Sequence, residues 1–261
     1  MATRDSKDPD LERSLTLLWS GRPQGRRGPR PRLTVDGIAR AAVEVADAEG
    51  IEALSMQRIA TELGYSTMSL YNHVPSKDLL LEVAADIGAG PPPDIGDPDD
   101  FRPAVRRWVA ALWAGFRLRP WMLRVPFDHA PVGPHQLAWL DRLLRPLLAA
   151  GLSGRQARVA ALHLTAVVRG TAQISLSLAA VNRTDDGVPR SDADLARILT
   201  GFLDERDYPA LTAVYTAELA GDTAADTADE DPLPFELGFG VDRFLDGVES
   251  WVAANRPGAD S

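Results

Sequence analysis

The sequence predicts an all-helical protein in two parts, a small N-terminal domain of short helices and a larger C-terminal domain of longer ones. Apolar residues recur at spacings of three and four over most of the chain, and no stretch alternates apolar and polar residues as a half-buried strand would. A segment with four prolines, Gly88 to Pro98, interrupts the pattern after the fourth clear helix and marks a domain boundary. With 261 residues, 45% hydrophobic and 25% charged, the chain is long enough for two cores of ordinary composition.

Residues 1–33 read as an arm, rich in Pro, Gly and Arg from Gly21 onward and without fixed structure there. Leu11, Leu15, Leu18 and Trp19 fall at helical spacing and allow a short docked helix before the arginines. Thr34 then caps a first regular helix with Ile38, Ala42, Val45 and Ala46 on its apolar side, stopped at Gly50. Ser55 caps a second helix with Met56, Ile59, Ala60 and Leu63 inward, broken by Gly64. A third runs from Ser66 to Val74, where Pro75 ends it. Two short helices joined by a tight Gly turn have the form of a helix-turn-helix. Leu70 and Val74 point inward in the second of them, leaving Thr67, Met68, Ser69, Tyr71, Asn72 and His73 on the outer side.

A fourth helix starts at Ser76 or Lys77 and reaches Ile87, so the N-terminal domain spans residues 34–90 and the C-terminal domain 91–261. The latter opens with an amphipathic helix carrying Val105, Trp108, Val109, Leu112, Trp113 and Phe116. Further helices are predicted at 137–149, 153–181, about 192–203, 209–220 and 234–254, with loops at 182–191 and 221–232. The second loop is an acidic Ala/Thr/Asp tract with little to bury.

Charge is segregated. The net charge is −9, yet five arginines and no acid lie between Arg22 and Arg32, while seven acids and no base lie between Glu218 and Glu236. The Arg run is either a solvated tail or a cationic arm for an anionic polymer. Cysteine is absent, which removes disulfides, thiolate metal sites and a thiol nucleophile. The first twenty residues hold no continuous apolar stretch, and no segment is expected to reach the roughly 18 apolar residues of a membrane span, so a soluble cytoplasmic protein without a membrane partner is expected.

No enzyme signature is found: the chain lacks a phosphate-binding GxxxxGK[ST], a GxGxxG after a strand, an HExxH and a GxSxG. The four histidines at 73, 129, 135 and 163 include no zinc pair at helical spacing between His129 and His135, and neither metal nor cofactor is expected.

From about Leu33 to Ile87 the chain closely resembles the tetracycline-repressor (TetR) family, on the combination of Ala60, Gly64, Leu70, Tyr71, His73 and Lys77 at fixed spacing. The resemblance implies an N-terminal three-helix DNA-binding domain, whose third helix enters the major groove, joined by a connecting helix to a C-terminal ligand-binding and dimerisation domain. It implies that Thr67, Met68, Ser69, Tyr71, Asn72 and His73 face bases or nearby backbone, that Lys77 meets a phosphate, and that Ser55 or Gln57 contacts backbone. The chemistry agrees, since hydroxyl, amide and methyl groups read base edges while a cation at a helix start positions phosphates. Tyr71 and His73 equally have the alternative of packing against the fourth helix. Because the third helix itself has no Arg or Lys, Arg26, Arg27 and Arg30 of the arm are expected to supply backbone or minor-groove contacts.

Phe235 to Val248 resembles the last helix of the tetracycline-repressor-type C-terminal domain, and Leu147 to Ser153 the turn before its long helix. The resemblance implies a four-helix homodimer interface built from 153–181 and 234–254. Ala166, Gly170 and Ser177 are small enough for close approach in the first helix, and Val241, Phe244 and Val248 supply an apolar stripe in the second. The alternative is that both stripes face only their own core. An effector pocket is expected among Trp113, Phe116, Trp121, Phe127, His129, Trp139, His163, Arg169 and Gln173, with His163 and Gln173 pointing inward, although each aromatic could equally pack in the core. The functional expectation is a repressor released from operator DNA by a small organic effector. An activator of the same fold, or a helical binding module without DNA binding, are the alternatives.

Overall fold

The computed structural model describes residues 15–19, 33–125, 132–181, 192–220 and 233–255, and every regular element among them is helical. A short helix at 15–19 (α1) precedes α2 (Val35–Glu49), α3 (Met56–Leu63), α4 (Thr67–Tyr71) and α5 (Lys77–Ala89). Then come α6 (Phe101–Leu118), α7 (Pro134–Ala149), α8 (Gly154–Val181), α9 (Asp192–Thr200), α10 (Pro209–Leu219) and α11 (Phe235–Ala254). Two single-turn 3₁₀ segments, Ile51–Ala53 and Pro120–Arg124, were not foreseen.

Each short helix of the N-terminal domain begins on a side-chain oxygen. Thr34 accepts from the Gly37 amide at 3.0 Å, Ser55 from Arg58 at 3.1 Å, Ser66 from Ser69 at 3.2 Å and Ser76 from Leu79 at 3.1 Å. Helix α4 is shorter than its pattern suggested, because the His73 and Val74 amides both close onto the Leu70 carbonyl, tightening the last turn before Pro75. Helix α5 instead runs two residues past Ile87 and stops at Gly90 (φ 63°), so Pro91 rather than Gly88 sets its end. Pro134 sits in the first turn of α7, where its missing N–H costs nothing, and the helix starts three residues before the predicted Leu137. Helix α8 opens with a reciprocal cap in which the Ser153 amide donates to Gln156 Oε1 at 2.8 Å and the Gln156 amide to Ser153 Oγ at 3.4 Å.

One core holds the N-terminal helices together: Leu33, Ile38, Ala42, Val45, Leu54, Ile59, Leu70, Val74, Leu80 and Ala84, extended by Trp121 and Val125. On its flank Leu18 packs with Ala39 and Val83, and the Trp19 indole donates to the Val132 carbonyl at 2.9 Å, so α1 is docked. Of the predicted arm at 1–33, residues 1–14 and 20–32 lie outside the described residues, as do the predicted loops at 182–191 and 221–232.

The chain divides into two compact units, Met1–Arg169 with Leu245–Ser261, and Gly170–Phe244. The predicted boundary at residue 90 lies inside the first unit, because the end of α5 is gripped by α7 and by the segment after α6. In the second unit α9 packs on α10, burying Ala196 and leaving Phe202 84% exposed. Against expectation, Gly154–Ala179 of α8 is long and apolar enough to cross a bilayer by length and composition. Its sequence carries Arg155, Arg158 and Arg169, and Ala157, Ala161, Leu164, Val168 and Ala172 are buried within the protein.

The grip on α5 centres on Asp86, the single buried charged side chain among the described residues, 2% exposed. Its carboxylate accepts from the Gln136 amide at 2.9 Å, the His135 amide at 3.1 Å and His135 Nδ1 at 3.0 Å. Helix α7 has no cap of its own: Gly133 lacks a side chain and Pro134 lacks an N–H, so the first donors are those of His135 and Gln136. A carboxylate at the positive end of a helix dipole, held by three donors, is a stable way to bury charge. Gly133 presses directly on it, and any Cβ there would overlap the Asp86 carboxylate. Asp86→Ala is therefore expected to lower unfolding free energy by about 1–3 kcal/mol, by orphaning two buried amides. Thermal melting checks this, and an unchanged Tm would contradict it.

Candidate functional site

The turn between α3 and α4 depends on Gly64, which takes the left-handed conformation (φ 72°, ψ 31°) while the next amide, Tyr65, closes back onto the Ala60 carbonyl at 2.9 Å. This sends α4 across the domain with Leu70 and Val74 fully buried. The opposite side is open: Met68 is 70% exposed, Tyr71 and Asn72 are exposed, and Thr67, Ser69 and His73 are half-buried. Local bonds engage two of the predicted readers. Ser69 Oγ shares a hydrogen bond with Ser66 Oγ at 2.8 Å, and His73 Nδ1 lies 2.9 Å from the Ser69 carbonyl. Tyr71 lies on the solvent side rather than in the core. Ser55 uses its hydroxyl to cap α3, with Gln57 exposed beside it, and Lys77 is exposed in the first turn of α5.

Residues 33–90 carry nine acids against three bases, Arg40, Arg58 and Lys77. Arg40 pairs with Asp36 at 2.9 Å. Arg58 bridges Glu49 and Glu62, each at 2.6 Å, and these hydrogen bonds hold the Glu49 carboxyl below its usual range and raise the guanidinium further. The folded head thus offers shape and polar groups but little positive charge. Arg26, Arg27 and Arg30 lie outside the described residues.

Polar contacts join this head to the helices that follow. Asp47 on α2 accepts from Arg119 Nε at 3.0 Å and from the Trp121 indole at 2.6 Å. Arg119 also donates to the Gly88 carbonyl at 2.9 Å, and Arg124 pairs with Glu52. Gly88 lets α5 lie against the Trp121 ring, which a Cβ would approach to 3.1 Å. The Trp139 indole donates to the Gly90 carbonyl at 3.1 Å, and the Trp139 carbonyl accepts from the Trp108 indole at 3.0 Å, with the two rings edge-on 5.9 Å apart.

Of the expected pocket residues, Trp113 and Phe116 are buried and Trp139 is half-buried, all in the first unit. Arg169 stacks over Phe116 at 5.9 Å and donates to the carbonyls of Met122 (3.3 Å), Leu123 (2.5 Å) and Val125 (3.2 Å), while burial pushes its pKa down. Three expectations are corrected. His163 is exposed, one position from the exposed Leu162, so it faces away from any internal pocket. Gln173 is also exposed, donating to Ser177 at 3.4 Å. Trp121 belongs to the core of the head and is bound to Asp47, which makes it a structural residue. The helical period put His163 on the inner face because its neighbours are apolar on both sides. Phe127 and His129 lie outside the described residues.

Among the expected interface residues Ala166, Gly170 and Ser177 lie along the open side of α8, Ala166 and Ser177 exposed and Gly170 half-buried. Phe244 and Val248 are half-buried on α11, but Val241 is buried within its own chain, a correction to its place in an intermolecular stripe. The exposed apolar residues are instead Val159, Leu162, Val167, Ile174 and Leu178 on α8, and Phe235, Phe239 and Trp251 on α11.

The residues missed in the sequence are those that tie the N-terminal helices to the following ones, Asp47, Arg119, Asp86 and His135. One signal was available for the last pair. Val132-Gly133-Pro134 opens a helix without any capping side chain, so the cap had to come from elsewhere in the chain.

Comparison with known proteins places these features. Residues 38–84 match the family described as "Bacterial regulatory proteins, tetR family", and residues 93–252 match "Tetracyclin repressor-like, C-terminal domain". The HTH-type transcriptional repressor DrrR1 of Streptomyces coeruleorubidus is 34% identical over 98% of this chain and 92% of its own length. An HTH-type transcriptional regulator of Saccharopolyspora erythraea is 32% identical over 83% of this chain and 89% of its own. Among solved structures, the Streptomyces coelicolor TetR family protein ActR in complex with actinorhodin superposes with a TM-score of 0.65 at 25% identity, covering 86% of this chain and 99% of that one. Its complex with (S)-DNPA gives the same TM-score and identity over 85% and 100%. With its head and its C-terminal domain both matched, the chain belongs to the tetR family of bacterial regulatory proteins.

Proposed function

We propose that this protein is a transcriptional repressor that acts in the cytoplasm as a homodimer on operator DNA and leaves it when a small organic molecule occupies the C-terminal domain. The observation that carries the DNA-binding part is the face of α4, where Met68, Tyr71 and Asn72 stand exposed on a helix anchored by Leu70 and Val74. A short, rigid helix with apolar, phenolic and amide groups outward is equipped for base-edge readout in the major groove. Similarity to the repressor DrrR1 supports the sign of regulation.

The acidity of the head gives the arginine arm its role. Phosphate contacts supply most of the sequence-independent affinity, and residues 33–90 hold an excess of acids, so Arg26, Arg27 and Arg30 with Arg22 and Arg32 are the available source of cations beside Lys77. Selection of duplexes from a random pool by the full-length protein tests the reading, with enrichment of a pseudo-palindrome as the expected result. Deleting residues 1–32 should then reduce the salt slope of dimer binding to that duplex by up to about 9, roughly 0.9 for each arginine of the two arms that meets a phosphate. Asn72→Ala should instead cost about 1–3 kcal/mol and relax preference at one base pair. An unchanged slope on deletion would reduce the arm to a tail.

The dimer is supported by α8, whose open side carries Leu162 at 69% and Ile174 at 61% exposure, three turns apart. Apolar surface of this extent on one helix calls for a partner, and a second copy presents the same surface in a closed two-fold arrangement. Leu162→Glu is expected to convert a dimer into monomers in sedimentation. A wild-type monomer at micromolar concentration would overturn the dimer.

For the effector, similarity to ActR, solved with actinorhodin and with (S)-DNPA, agrees with the aromatic group Trp108, Trp113, Phe116 and Trp139 in the first unit. Actinorhodin serves as a probe in calorimetry with and without the selected duplex. Reciprocal weakening of about 5–150-fold is the expected range for such coupling. Binding of equal strength in both titrations would rule actinorhodin out as a releasing ligand.

A further inference from the structure

Asp86 sits four residues before Gly90, at the end of the helix that belongs to the reading head, and its three donors all come from the first turn of α7. That turn cannot cap itself, since Gly133 has no side chain and Pro134 no N–H, and a buried carboxyl group is costly without hydrogen-bond partners. Each partner removes the other's deficit, so a partial separation leaves both a charge and two amides unsatisfied. One turn further along, Trp139 holds the same end of α5 through the Gly90 carbonyl at 3.1 Å, and Trp108 holds Trp139 through its carbonyl. Helix α7 therefore grips α5 at two points one helical turn apart, and one of them is a half-buried indole.

We propose that Asp86 is a positioning residue that makes the seating of α7 on α5 an all-or-none contact, so that the reading head follows α7 as a rigid extension. The inference rests on the reading of this protein as a DNA-binding regulator. Without the carboxylate, α5 would keep the Trp139 bond at Gly90 as a pivot, and the head would take a continuum of positions about it. With it there is a seated position and a released one, and whatever moves α7, including a molecule lying against Trp139, moves the head by switching between them. Gly133 lies so close to Asp86 that no side chain fits between them.

Hydrogen–deuterium exchange on the full-length chain tests this, using as probe a duplex selected by the wild-type protein from a random-sequence pool. In the wild type, adding the duplex is expected to slow exchange at residues 67–72, which face the DNA, and also to change it at 133–139, which do not. In Asp86→Ala, which removes the acceptor of both amides, exchange at 133–139 is expected to rise about tenfold without a matching rise in α2 or α6, and the duplex should still protect 67–72 while no longer altering 133–139. A wild-type response confined to 67–72 would overturn the proposal while leaving DNA binding intact, and this result does not depend on how well the variant folds. A uniform rise across α2, α6 and α7 in Asp86→Ala would also overturn it, reducing Asp86 to a stabilising residue. Failure to enrich any duplex would overturn the DNA-binding reading and the proposal with it.

Discussion

A single buried carboxylate organises the part of the chain that bears on function. Asp86 must meet hydrogen-bond donors because an unpaired charge in an apolar setting is far too costly to keep. The start of α7 must meet an acceptor because Gly133 and Pro134 provide none. Their union fixes the end of α5 on α7, and further contacts accompany that placement: Arg119 reaches the Gly88 carbonyl, Trp139 the Gly90 carbonyl, and Trp121 lies against Gly88 while its indole meets Asp47. Consequently the three-helix head is bound to the following helices by hydrogen bonds of fixed direction.

Affinity and readout are separated along the chain. Helix α4 carries no charge at all, and the head's Arg58 is committed to Glu49 and Glu62, where it ties α3 to the end of α2. On the proposed function, with cations in the arm and readers on α4, a surface of modest intrinsic affinity would do the discriminating, while a cluster of arginines would supply attraction that any duplex satisfies. Such a division keeps the contribution of one seated head small, which favours a symmetric pair of heads and makes occupancy sensitive to their separation.

The elements written most plainly in the sequence are those made locally. Thr34, Ser55, Ser66 and Ser76 each cap the helix they precede, and Gly64 takes the left-handed turn assigned to it. The exposed face of α4 could be read because Leu70 and Val74 leave one side for solvent. What escaped depends on residues distant in sequence. Asp86 and His135 are 49 positions apart, Asp47 and Trp121 74 apart, and neither pair has any local signature beyond the missing cap of α7. Helix α8 shows the opposite difficulty: its residues are apolar around most of the circumference, so periodicity alone could not decide that His163 and Gln173 lie on the open side with Leu162 and Ile174. Val241 was misassigned for the same reason, since an apolar position on α11 serves the chain's own core as readily as a partner.

If Asp86 fixes the head, the distance between the two heads of a dimer must be narrowly distributed even without DNA. The absence of native cysteine allows a spin label at Glu44→Cys, on the exposed side of α2, to report that distance by double electron–electron resonance. The expected result is one narrow peak for the otherwise wild-type protein and a broad distribution once Asp86→Ala is added. Equal widths in the two proteins would contradict the account, because the head would then be held by something other than the carboxylate on α7.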